Sequence, residues 1–168
     1  CGCWEEDVQI DATRLWVEEF VVRHNLCPFA APFLQKIHYR LVEAKALEER
    51  LLDLHQELMY LDRSQEHRTS LLIYDDPLLD WDSYLDLLVI AEDLIAEMGW
   101  PYQLASFHPQ YQFVETEYDD PANKSNRSPY PTIHILRIDD VERAIAQHPD
   151  TNQIPLRNIA YLRTLFKE

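Results

Sequence analysis

Three stretches of this chain hold residues with the chemistry to bind or transform a small anion. Phe107-His108-Pro109 leaves the end of a predicted strand, and His108 there is suited to act as a general acid or base. Cys27, within Leu26-Cys27-Pro28-Phe29, is the candidate nucleophile. It follows a predicted helix, so no helix N-terminus favours its thiolate. Arg127 offers a two-pronged grip on a carboxylate or phosphate, and Arg137 ends a later predicted strand. Asn123 and Asn126 supply orienting donors. His134 shares a strand face with Thr132 and Leu136, opposite Ile133 and Ile135. Each residue also has a plainer reading. A histidine satisfies a turn carbonyl, a cysteine is buried and inert, and a loop caps itself with its own Asn and Asp side chains.

Acids are distributed unevenly around these groups. The chain holds 30 Asp and Glu among 168 residues, yet none falls in Phe20–Val42, Met98–Val114 or Asn123–Ile138. Those windows contain Cys27, His108, His134, Arg127 and Arg137. Clearing carboxylates from them is the expected pattern for an electropositive hollow that takes an anion. A fourth acid-free stretch, Thr151–Lys167, has no Cys or His and fits the opposing view that acids simply crowd onto exposed helix faces.

Composition narrows the function classes. A formal net charge of −15 argues against nucleic-acid binding, which relies on Lys and Arg neutralising phosphates. It argues equally against attachment to anionic lipid. No apolar run approaches the roughly 20 residues of a membrane-spanning helix. Two glycines, Gly2 and Gly99, are too few for a phosphate-cradling loop, a dinucleotide fingerprint or a nucleophile elbow. Three cysteines make no disulfide framework and point to a reducing compartment, the cytoplasm or an organelle matrix. The start at Cys1-Gly2-Cys3 without Met reads as a processed or partial terminus within a tail over 1–10.

The elements that must position these groups follow from spacing. Asp11 is placed to cap a helix running to about His24, which Asn25 and Pro28 stop. Ile37–Glu43 alternates as a strand. Leu47, Leu51, Leu54, Leu58 and Leu61 stripe one helix face. Thr69–Tyr74 reads as a central strand, Asp80 or Asp82 opens a helix that Gly99 ends, and Tyr102–Phe107 is a third strand. Asp119–Pro131 is irregular and leads into the strand Thr132–Arg137. Asp139 is placed to cap a short helix, and Pro155 starts the last one. The expectation is one α/β domain over 11–168, a mixed, mostly parallel sheet of about four strands flanked by helices. Its ligand crevice is expected beyond the strand ends.

Leu26-Cys27-Pro28-Phe29-Ala30, Phe107-His108-Pro109 with Tyr111 and Phe113, Asn126-Arg127-Ser128-Pro129 with Pro131, and His134 with Leu136-Arg137 together resemble domain of unknown function family 1415. The resemblance spans Trp16 to about Ala146, implies one domain over nearly the whole chain, and supplies no mechanism. The leading expectation is an enzyme or binding protein for a small anionic molecule, with no cofactor identified. One alternative is a non-catalytic subunit of a larger assembly, drawn from the leucine stripe and the tyrosines and tryptophans. Another is a metal protein using Cys27, His108, His134 and Asp119, which no local ligand spacing supports.

Overall fold

A computed structural model describes residues 7–148 and 150–167. Four strands, β1 (Ile37–Val42), β2 (Thr69–Tyr74), β3 (Tyr102–Phe107) and β4 (Thr132–Arg137), form one sheet in the order β1-β2-β4-β3. β1, β2 and β3 run the same way, but β4 inserts between β2 and β3 in the opposite direction. Only β1–β2 is therefore a parallel pair, and the mostly parallel sheet expected above is corrected on that point. β4 follows β3 as its antiparallel partner, with Phe107 opposite Thr132, and so occupies the place a parallel neighbour would take.

Helices α1 (Val8–Trp16), α2 (Leu47–Arg63), α3 (Trp81–Met98), α4 (Ile138–Gln147) and α5 (Gln153–Leu165) surround the sheet. The Asp80 side chain accepts the Ser83 N–H at 2.9 Å and opens α3. Gly99 ends it in the left-handed conformation at φ 62°, with the Trp100 N–H returned to the Ile95 carbonyl. Asn25 does the same at φ 50° for the helical run that continues α1 as a π-helix over Val17–Val22. Two expected caps differ. Asp11 and Asp139 lie in the first turns of α1 and α4, where carboxylates favour the helix dipole, rather than capping them. The expected tail over 1–10 includes residues outside those described, but helix α1 already begins at Val8.

One sheet face packs densely. Leu54, Leu58 and Leu61 of α2 and Tyr84, Leu87, Ala91 and Ile95 of α3 bury Val42, Leu72, Tyr74, Tyr102, Ile133 and Ile135. Of the leucine stripe, Leu54, Leu58 and Leu61 are buried in this layer, Leu51 packs partly against it and Leu47 is exposed. Tyr84 is fully buried with both roles of its hydroxyl used: it donates to the Thr132 carbonyl at 2.8 Å and accepts the Phe107 N–H at 3.1 Å.

Glu57 lies in this layer and is only 1% exposed. Its carboxylate accepts from His38 Nδ1 at 2.6 Å, from Arg40 at 3.3 Å and from the Ser70 hydroxyl. Burial pushes its carboxyl up, but the hydrogen bonds from His38 and Ser70, with the cationic neighbours, hold it below the ordinary 4.5. The stability it contributes is therefore complete above that value and is lost as the pH falls through the lower folded one. Because His38 and Arg40 reach solvent, Glu57→Gln is expected to cost about 1–3 kcal/mol. Urea unfolding at pH 7 and at pH 4 checks both the loss and its shrinkage in acid.

Candidate functional site

The opposite sheet face carries Thr69 and Leu71 of β2, Gln103, Ala105 and Phe107 of β3, and His134 and Leu136 of β4. Its cover is irregular. Trp16 closes α1, Val17 and Val21 lie on the π-helix, and Cys27, Phe29, Ala30 and Phe33 come from the turn that follows; Val141 and Ala144 come from α4. Between cover and sheet lies a cavity of about 250 Å³.

The far end of the chain holds that turn in place. Leu162 of α5 is buried against Val21 and Leu26. Asn158 Nδ2 donates to the Leu26 carbonyl at 2.7 Å, the Arg157 guanidinium donates to the Asn25 carbonyl, and His24 Nδ1 meets the Tyr161 hydroxyl at 2.7 Å. The left-handed Asn25 redirects the chain, and Cys27, Phe29 and Ala30 after it reach the cavity wall. Phe29 then rests edge-on against His148 at a ring separation of 5.1 Å.

Few polar groups line the hollow. His134 Nε2 lies 2.7 Å from Thr69 Oγ1, which itself lies 2.6 Å from the Ile135 carbonyl. Burial alone pushes His134 down to about 4, so the ring is neutral at neutral pH. Burial likewise raises the Cys27 thiol, against the opposing pull of the Phe29 and Ala30 backbone N–H groups. Arg68 is clasped by Asp140 through two bonds, at 3.1 and 2.8 Å, so its charge is already compensated. Trp16 stands edge-on to Phe107 at 5.2 Å.

Residues 8–168 match the family described as "Protein of unknown function (DUF1415)". The chain belongs to that family. No curated protein and no solved structure matches it. Of the DUF1415-like residues read from the sequence, Cys27, Phe29, Ala30, Phe107, His134, Leu136 and Arg137 line the cavity, whereas His108 and Arg127 do not.

His108 and Arg127 lie outside this cavity, where the His108 backbone N–H meets the Asn126 carbonyl at 3.1 Å, and the expected site residues give their polar groups to local partners. His108 is buried with both ring nitrogens engaged: Nε2 donates to the Leu79 carbonyl at 3.0 Å and Nδ1 accepts the Gln110 N–H at 3.0 Å. Arg127 donates to the Tyr111 carbonyl at 2.9 Å and the Tyr118 carbonyl at 2.5 Å, with its guanidinium 4.4 Å above the Tyr118 ring. Asn123 is fully buried and staples the long β3–β4 connection: its carbonyl accepts from Phe113 N and Thr116 Oγ1, and its amide donates to the Glu117 and Tyr118 carbonyls. Asn126 donates to the Ser106 carbonyl at 3.2 Å and accepts from Ser125. Arg137 lines the cavity but gives its guanidinium to the Leu61 carbonyl and the Tyr102 ring face.

Among the described residues no group of three or more His, Cys, Asp or Glu side chains is placed to hold a metal ion, so Cys27, His108, His134 and Asp119 do not form a ligand set. No helix among them is long and apolar enough to cross a membrane. Sequence reasoning missed Trp16, Arg68, Thr69 and Asp140. Thr69 alone had a usable signal, since alternation along β2 puts it on the face opposite Ser70 and Leu72.

Two measurements follow. Iodoacetamide is expected to label Cys27 far more slowly in the native chain at pH 7 than in urea, and faster as the pH rises, as read by peptide mass spectrometry. His134 keeps its neutral form down to about 4, whereas the unfolded ring charges from about 6.5. Its contribution is thus whole above about 6.5 and falls as the pH drops toward 4. A His134→Phe variant is expected to show a shallower loss of stability over that interval in urea titrations.

Proposed function

We propose that the protein binds a small, predominantly apolar molecule in the cavity between its sheet and the Trp16–Phe33 cover. The observation that carries this reading is the hollow itself, about 250 Å³ walled mainly by aromatic and aliphatic side chains. A dry cavity of roughly 150 Å³ already accommodates benzene, so this one suits a molecule of one or two fused rings, or its aliphatic equivalent. Apolar walls that face an unfilled hollow forgo contacts that a bound molecule would supply. A ligand that restores those contacts is the economical explanation for the hollow.

The reading replaces the anion expected from charge distribution. Arg127, Asn123 and Asn126 are committed to the β3–β4 connection, and Arg68 is neutralised by Asp140. Binding is favoured over thiolate chemistry because burial keeps Cys27 protonated at neutral pH.

A thermal-shift series with small aromatic and aliphatic molecules tests the proposal. At tenfold excess over Kd a true ligand is expected to raise Tm by about 3–6 °C. Ala105→Phe, which fills the hollow from β3, is expected to abolish that shift without lowering the Tm of the free protein. The reading fails if no compound raises Tm, or if the filled variant responds like the parent.

A further inference from the structure

The wall of the cavity contains one polar contact whose direction is fixed by chemistry. Thr69 Oγ1 has a single proton and two neighbours, the Ile135 carbonyl at 2.6 Å and His134 Nε2 at 2.7 Å. A carbonyl has only lone pairs to offer, so the hydroxyl proton belongs to Ile135. Thr69 must then accept from His134, and the proton of the neutral imidazole sits on Nε2. That leaves Nδ1 as a bare acceptor. Among the described residues Nδ1 has no partner, and it is not one of the sealed-off polar atoms. His134 lines the cavity, and its unpartnered Nδ1 is available to a molecule bound there.

We infer that the ligand presents a hydrogen-bond donor, a hydroxyl or N–H on an otherwise apolar frame, to Nδ1 of His134. The inference rests on the cavity-binding reading and adds a ligand class to it. A carboxylate or phosphate is disfavoured, because it meets a lone pair where it needs a proton. An ether, ester or hydrocarbon of equal shape leaves Nδ1 stripped of water and unpaired, which a buried acceptor resists. Thr69 acts as a positioning residue: its hydroxyl, already engaged by Ile135 and His134, fixes which nitrogen carries the proton.

Three matched probes separate this inference from the reading beneath it: 2-naphthol, 2-methoxynaphthalene and 2-methylnaphthalene, titrated calorimetrically into the full chain. The expected order places 2-naphthol at least tenfold tighter than both others. In Thr69→Val the ring is free to carry its proton on Nδ1, and the advantage of 2-naphthol over the methoxy compound is expected to shrink severalfold. Nitrogen NMR of the imidazole in the ligand-free chain reads the tautomer directly and needs no variant to fold. Equal affinity for the three probes overturns the donor inference and leaves the cavity reading standing. Binding by none of them overturns both. A ring protonated on Nδ1 in the free chain overturns the donor inference whatever binds.

Discussion

The rest of the structure answers to one constraint: β2 is buried at all six residues, so both faces of the sheet must be shielded from water. The two faces meet that demand differently. On one, two long helices bring leucines and alanine at helical spacing, and the layer closes over the sheet. On the other, a π-helix, a left-handed turn and a short helix come together from distant parts of the chain. Irregular pieces tile a flat surface poorly, and the gap they leave is the cavity.

Acid-free segments do meet in space, but for a different reason than charge. Twelve of the twenty residues around the cavity come from the three acid-poor windows that hold Cys27, His108 and His134. Carboxylates are absent there because those segments enclose an apolar interior, where an unpaired anion is costly. The arginines and asparagines of the same windows serve the backbone. Arg127 and Asn123 satisfy carbonyls and amides that the long β3–β4 connection would otherwise strand away from water. Their abundance marked a loop that needs internal stapling.

Strand and helix identities were legible because periodicity is local. The alternation in Ile37–Glu43, the apolar run Thr69–Tyr74 and the stripe from Leu47 to Leu61 marked element types and nearly all of their limits. Pairing was not legible to the same degree. Nothing in the sequence of β4 says that it separates β2 from β3, and that insertion changes two of the three pairings. His134 was readable as facing away from Ile133 and Ile135, but its partner Thr69 is 65 residues distant, and no spacing rule connects the two. For His108, strand-end location could not reveal that both ring nitrogens are already engaged.

The clasp between α5 and the turn before Cys27 joins residues 132 positions apart. Contacts so remote in sequence incur their loop-closure entropy before they return any stabilisation, so they form late. During synthesis the helices of the dense face can dock on β1 and β2 while Leu71, Ala105, Phe107 and Leu136 still face water. The thirteen-residue helix α5 is thus a latch: without its grip on Asn25 and Leu26, the cover loses its anchor over an apolar, sticky sheet surface.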